Sequence, residues 1–182
     1  EMCIRDRLGA LEQHGNQAPL GTDDIIAEAM VKEIVKQMEA EKEDFPMLVF
    51  PVIPVGLSTE HKNFCGSVTL RPDTYYHLLY DICASLVHHG FKKLAFLVCH
   101  GGNAPIAQIL SRELRSEFHI APFILSSGAF GHPDVQATVS EGNVWDFHGG
   151  EMETSMVMAV DENLVKLETS VSGMPTAFMN NK

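Results

Sequence analysis

Glu12, His14, Asp23 and His100 are the side-chain types that hold divalent cations, and they fall in two short runs, LEQHGNQAPLGTD (11–23) and LVCHGGN (97–103). Carboxylate oxygens and imidazole nitrogens drawn from distant parts of a chain suit Zn, Mn or Fe. Glu12 and His14 alternate with one residue between them, so in extended backbone they project to the same side. Asp23 follows a loop containing Gly15, Pro19 and Gly21, which can fold back and bring that carboxylate beside the first pair. Gly101 and Gly102 after His100 allow the backbone to approach a metal or substrate closely. A third run, HGGEMETS (148–155), supplies His148 and, five residues on, Glu153, whose carboxylate could complete a second metal shell. Two ions need about this many donors if one carboxylate bridges them. The expected ligand set is therefore Glu12, His14, Asp23, His100 and Glu153, and the chemistry it points to is metal-dependent hydrolysis.

Other polar residues read more plainly. Asp24 is an ordinary first-turn helix acid, and Glu151 is equally suited to a helix N-terminus. His88 and His89 precede Gly90 at a helix C-terminus, where cations are mildly favoured. His77, His119 and His132 have no partner in sequence. Glu60 and His61, in the STEH turn, are candidates for lining the pocket or ordering the ligands, with a surface ion pair as the alternative.

The elements that must position these groups alternate. Thr22 is expected to cap a helix whose apolar residues Ile26, Met30, Ile34 and Met38 recur to about Ala40. Met47–Val55 reads as a strand pushed to an edge by Pro51 and Pro54. Pro72 opens a second helix with Tyr76, Leu79, Tyr80, Cys83 and Val87 inward, closed by Gly90. The run LAFLVC (94–99) reads as a strand covered on both faces. Asn103 and Pro105 open a third helix carrying Ile106, Ile109, Leu110 and Leu114. Ile120–Leu125 is a further strand, a Gly- and Pro-containing loop follows to His148, and a fourth helix runs from about Gly150 to Val160. Such alternation implies an α/β sheet with helices on both faces, with ligands at the strands' carboxyl ends. Cys99-His100 lies at such an end, and so does Glu12–Gly15 if Leu8–Leu11 is a strand.

The 182 residues suffice for one domain with a substantial core. A net charge of −11 argues against nucleic acid and anionic membrane surfaces as partners, and no apolar run is long enough to span a membrane. Four scattered cysteines without CxxC spacing suggest free thiols and a cytoplasmic setting. The opening EMCIRDR (1–7) reads as a leader foreign to the domain, since MCIRDR also arises from an in-frame translated sequencing adapter. The domain is thus expected over 8–182, shortened at both ends.

Four runs together, LEQHGNQAPLGTD, PVGLSTEHKNFCGSVTL (54–70), HHGFKKLAFLVCHGGN (88–103) and HGGEMETS, resemble the motifs of the creatininase (creatinine amidohydrolase) family. The resemblance covers Leu8 to about Glu168. It implies a three-layer α/β/α sandwich with a mostly parallel central sheet, two divalent metal ions, hydrolysis of a non-peptide C–N bond in a small-molecule amide, and a homo-oligomer, often a hexamer. Glu12, His14, Asp23 and His100 match the family's ligand positions, Asp23 as the bridging carboxylate, and His148 matches its catalytic histidine. Two departures bear on substrate: Gly102 stands where creatininase carries a ligand glutamate, which leaves Glu153 to supply the fifth ligand, and Phe147 stands where it carries another glutamate. The expected mechanism uses a metal-bridging hydroxide on a cyclic amide or formamide, with His148 protonating the leaving nitrogen. The alternatives are a metal-dependent peptidase or deformylase of the same family, and a noncatalytic metal-stabilised scaffold.

Overall fold

A computed structural model describes residues 3–42, 47–126, 140, 146 and 148–171. Its strands β1 (Cys3–Leu8), β2 (Met47–Val49), β3 (Lys93–Val98) and β4 (Ala121–Ser126) form one parallel sheet in the order β2-β1-β3-β4. Helices α1 (Thr22–Glu41), α2 (Pro72–His88), α3 (Ala104–Phe118) and α4 (Glu151–Val160) cover it.

β3 shows why there are three layers. Its side chains alternate between faces, and every residue from Leu94 to Val98 is buried. Leu94, Phe96 and Val98 enter one core with Leu79 and Cys83 of α2 and Leu110 and Leu114 of α3. Leu97 enters a second core with Ile26, Ala27 and Val31 of α1 and Val157 of α4. The chain steps one way along the sheet from β1 to β2, then reverses past β1 to β3 and β4. Right-handed crossovers require that reversal to put α1 on the opposite face from α2 and α3, as observed. The result is a three-layer α/β/α sandwich.

Several local expectations shift. The first strand is Cys3–Leu8 rather than Leu8–Leu11, so much of the opening segment expected to be a leader lies between β2 and β3. β2 stops at Val49, and pairing resumes only as a single bridge from Leu8 to Ile53, because Pro51 and Pro54 offer no N–H to a ladder. Gly21, not Thr22, is the N-cap of α1; Thr22 is fully buried and its hydroxyl donates to the Pro19 carbonyl. Ile109 faces outward, leaving Ile106, Ala107, Leu110 and Leu114 as the buried stripe of α3. Gly90, at φ +95°, closes α2 as expected. Most of the expected loop before His148, with His132 and Phe147, lies outside the described residues. No described helix is long and apolar enough to cross a membrane.

Candidate metal centre

The strand order reverses between β1 and β3, and a parallel sheet gathers ligands at the carboxyl ends flanking such a switch point. The Glu12–Gly15 segment leaves β1 there, and His100 leaves β3 there. The exits are tied by Asn103, which is wholly buried. Its Oδ1 accepts from the Leu57 N–H at 2.9 Å, and its Nδ2 donates to the Gly9 carbonyl at 2.8 Å. Gly56 leaves the room for this, since a Cβ there would lie 2.2 Å from Asn103 Oδ1. Gln17 does the equivalent work for the third run, donating to the Gly149 carbonyl at 2.6 Å.

Glu12, His14, Asp23 and His100 are all buried and meet in one cluster. Asp23 lies between the two imidazoles, with Oδ1 3.4 Å from His14 Nε2 and Oδ2 3.6 Å from His100 Nδ1. Glu12 Oε1 lies 2.9 Å from His100 Nδ1 and 3.6 Å from His148 Nδ1. Glu153, from the first turn of α4, brings Oε2 to 3.9 Å from His14 Nε2 while accepting the Gly149 N–H. Among the described residues, the donor groups able to share an ion include Glu12–Asp23–His100 and His14–His148–Glu153. The structure therefore brings together the five expected ligands and His148. Glu60 is half exposed, its Oε1 3.7 Å from His100 Nε2; His61 Nε2 lies 4.0 Å from Glu12 Oε2.

The tautomers follow from the backbone. A carbonyl oxygen can only accept. His14 Nδ1 donates to the Glu12 carbonyl at 3.1 Å, His100 Nε2 to that of Leu57, and His148 Nε2 to that of Gln13. Each ring, when neutral, therefore turns its remaining lone pair on the carboxylates. Such carbonyl–imidazole pairs are how metal-binding histidines are oriented. Glu12 Oε1 and Oε2, His14 Nε2 and Asp23 Oδ2 are buried and have no hydrogen-bond partner. Lone pairs facing lone pairs in a buried cluster require a cation between them, and the donor set fits a divalent metal.

Without a metal, protons do that work. Burial would lower the pKa of His100, but Glu12 and then Asp23 lift it to about 9. Burial likewise works against His14, yet Asp23 and Glu153 raise it. Burial pushes Glu153 up. For Glu12 burial acts upward, but His100, Ser58 and His148 outweigh it and hold the carboxyl low. His61 is lowered by its own burial and by His148.

Three features escaped sequence reasoning. Ser58 is fully buried beside Glu12 and helps to hold that carboxyl low. Asn103 is a clamp and not only a helix opener. Asp24 is not a solvated acid: its Oδ1 is buried without a partner, in a space that a Cβ on Gly9 would fill at 1.8 Å. Burial, then Asp23, push its carboxyl to about 7. Gly102 does carry a signal: a Cβ there would lie 2.2 Å from the Leu57 carbonyl oxygen and 2.4 Å from His100 Nε2. The carbonyl that orients His100 thus occupies the space a side chain at 102 would need.

The comparisons agree with this geometry. The creatininase family profile, described as creatinine amidohydrolase, matches residues 7–181. Creatinine amidohydrolase of Pseudomonas putida is 29% identical over 94% of this chain and 69% of its own. A mycofactocin precursor peptide peptidase of Mycobacterium ulcerans is 28% identical over 91% of this chain, which spans 61% of that relative. A solved manganese creatininase superposes with a TM-score of 0.81 at 27% identity, covering 96% of this chain and 71% of that one. A variant creatininase of Zn-Zn type gives 0.80 at 28% identity, over 96% and 70%. Buried carboxylates and oriented imidazoles at the sheet's switch point, in a chain matched nearly end to end, identify a member of the creatininase (creatinine amidohydrolase) family.

Proposed function

We propose that this chain is a metal-dependent amidohydrolase cleaving a C–N bond in a small non-peptide amide, a cyclic amide or a formamide. The observation that carries it is the set of three imidazoles, each tied through one nitrogen to a backbone carbonyl and aimed through the other at unpartnered carboxylate oxygens. Glu12, Asp23 and His100 would hold one divalent cation; His14, Asp23 and Glu153 would hold a second. When bound, zinc, manganese or iron would acidify a water near neutral pH and polarise a carbonyl.

The chain's own groups do the rest. Asp23 spans the two imidazoles and keeps the halves of the site in register. His148 is about a quarter exposed at its side chain, so it reaches both the cluster and the solvent side. A neutral imidazole there can take a proton from an attacking water and return it to a leaving nitrogen. Glu60, 3.7 Å from His100, and His61, 4.0 Å from Glu12, are the proposed substrate-facing residues. The names of the peptidase relatives support a second reading, a metal-dependent peptidase or deformylase. A cavity of about 520 Å³ flanked by Gln13, His148 and Thr154 supports it too, being roomier than one small ring needs.

The test is hydrolysis of a panel of cyclic amides, formamides and short peptides by zinc- or manganese-loaded protein, with products identified. Release of amine from the small amides is expected, and Asp23→Asn should lower turnover by at least about a hundredfold. Undiminished turnover in Asp23→Asn would remove its bridging role, and cleavage of peptides alone would favour the second reading. Bound metal with no turnover on any member would leave the scaffold.

A further inference from the structure

The ring of His61 is wired in the opposite sense from the other three imidazoles. Gln13 supplies the wiring. Its Oε1 accepts the Gly15 N–H at 2.8 Å, which turns its Nε2 toward His61 Nδ1 at 3.3 Å. An amide nitrogen donates and has no lone pair to offer, so His61 Nδ1 accepts. The hydrogen of the neutral ring therefore sits on Nε2, the nitrogen facing Glu12. Stacking on His148, with ring centroids 4.0 Å apart and planes 18° from parallel, holds the ring in the plane where its Nδ1 meets Gln13. Proximity alone would let Glu12, His61 and His148 share an ion, but a nitrogen carrying hydrogen cannot ligate.

We infer that Gln13 is a positioning residue that locks His61 in the Nε2–H tautomer, making it a hydrogen-bond donor into the site and keeping it out of the metal shell. A fixed donor at the rim suits an oxygen on which negative charge develops. That use rests on the hydrolase reading; the tautomer does not. Glutamate at position 13 keeps the acceptor for the Gly15 N–H but presents only an acceptor to His61. The hydrogen must then move to Nδ1, and the bare Nε2 joins the lone pairs facing Glu12.

Long-range ¹⁵N–¹H correlation on the labelled full chain, above the ordinary imidazole pKa, reads which ring nitrogen is protonated. The His61 signals are assigned by their loss in His61→Gln. A protonated Nε2 and bare Nδ1 are expected in both zinc-free and zinc-loaded protein, with the pattern reversed in Gln13→Glu. Where the small-amide activity is present, Gln13→Glu should lower it about a hundredfold with the zinc content of the His14 and His100 sites retained. A wild-type His61 protonated on Nδ1 overturns the inference, as does a folded Gln13→Glu protein with an unreversed pattern. The wild-type spectrum decides even if that variant does not fold, and absence of amide turnover would count against the hydrolase reading and not against the tautomer.

Discussion

Protons and metal ions compete for the same lone pairs around Glu12, Asp23 and His100, and the sign of that competition is set by the lifted pKa of His100. Its folded value of about 9 stands above the ordinary 6.5. Below 6.5 the ring is charged in both folded and unfolded chains, and its ion pairing with Glu12 contributes fully. Between 6.5 and 9 only the folded chain keeps the proton, so stability falls as pH rises, and above 9 the contribution is gone. At about 1.4 kcal/mol per unit this amounts to roughly 3 kcal/mol. Zinc uptake should strengthen over the same window, because the proton must leave before the nitrogen ligates. Urea denaturation of chelated protein across that range is expected to show the decline, and His100→Gln to abolish its upper part. A wild-type profile flat from 6.5 to 9 would mean that His100 is not the protonated partner of Glu12.

At the scale of elements, the site depends on loops held at fixed distances from the sheet, and Asn103 is the clearest case. It satisfies the Leu57 N–H and the Gly9 carbonyl, groups 46 and 94 residues away in sequence. Asn103→Ala removes both bonds and leaves two buried backbone groups unpaired, a loss of about 3 kcal/mol. Because the same clamp sets the spacing between the β1 exit and His100, zinc affinity should fall with stability. Equilibrium denaturation and zinc titration of the variant measure both, and an unchanged zinc affinity would detach the clamp from the site. Asn103 also marks where sequence reading stops. LAFLVC announced a doubly covered strand because burial on both faces leaves a continuous apolar run, and the candidate ligands announced themselves as acids and imidazoles beside glycines. Asn103, Ser58 and Gln17 are ordinary polar residues whose meaning comes from partners far away in the chain. The short β2 was obscured because Val52, Ile53 and Val55 look like strand while Pro51 and Pro54 beside them forbid a ladder. Asp24 looked like a helix-dipole acid because nothing in its neighbourhood reveals that Gly9 makes room for it.

Across the whole molecule, the candidate ligands come from four places: the exit of β1, the start of α1, the exit of β3 and the first turn of α4. The two helices belong to one layer and the two strand exits to the sheet beneath it, so the cluster sits where that layer meets the carboxyl edge of the sheet. The chain carries a net charge of −11, and three of its carboxylates, Glu12, Asp23 and Glu153, converge there. Bringing them together without cations is unfavourable, both through mutual repulsion and through lost hydration. A bound metal reverses that sign and stabilises only the folded chain, since the unfolded chain has no assembled site. At free zinc a hundredfold above its dissociation constant the gain is about 2.7 kcal/mol. For a domain of this size each kcal/mol moves Tm by about 2–4 °C, so chelation should lower Tm by about 5–11 °C. The shift should shrink sharply in Asp23→Asn, because that carboxylate serves both halves of the cluster. Calorimetry of zinc-loaded and chelated protein, wild type beside Asp23→Asn, measures it. Superimposable melting curves for the loaded and chelated wild type would mean that the cluster is held together by protons alone, and the case for a metal centre would go with them.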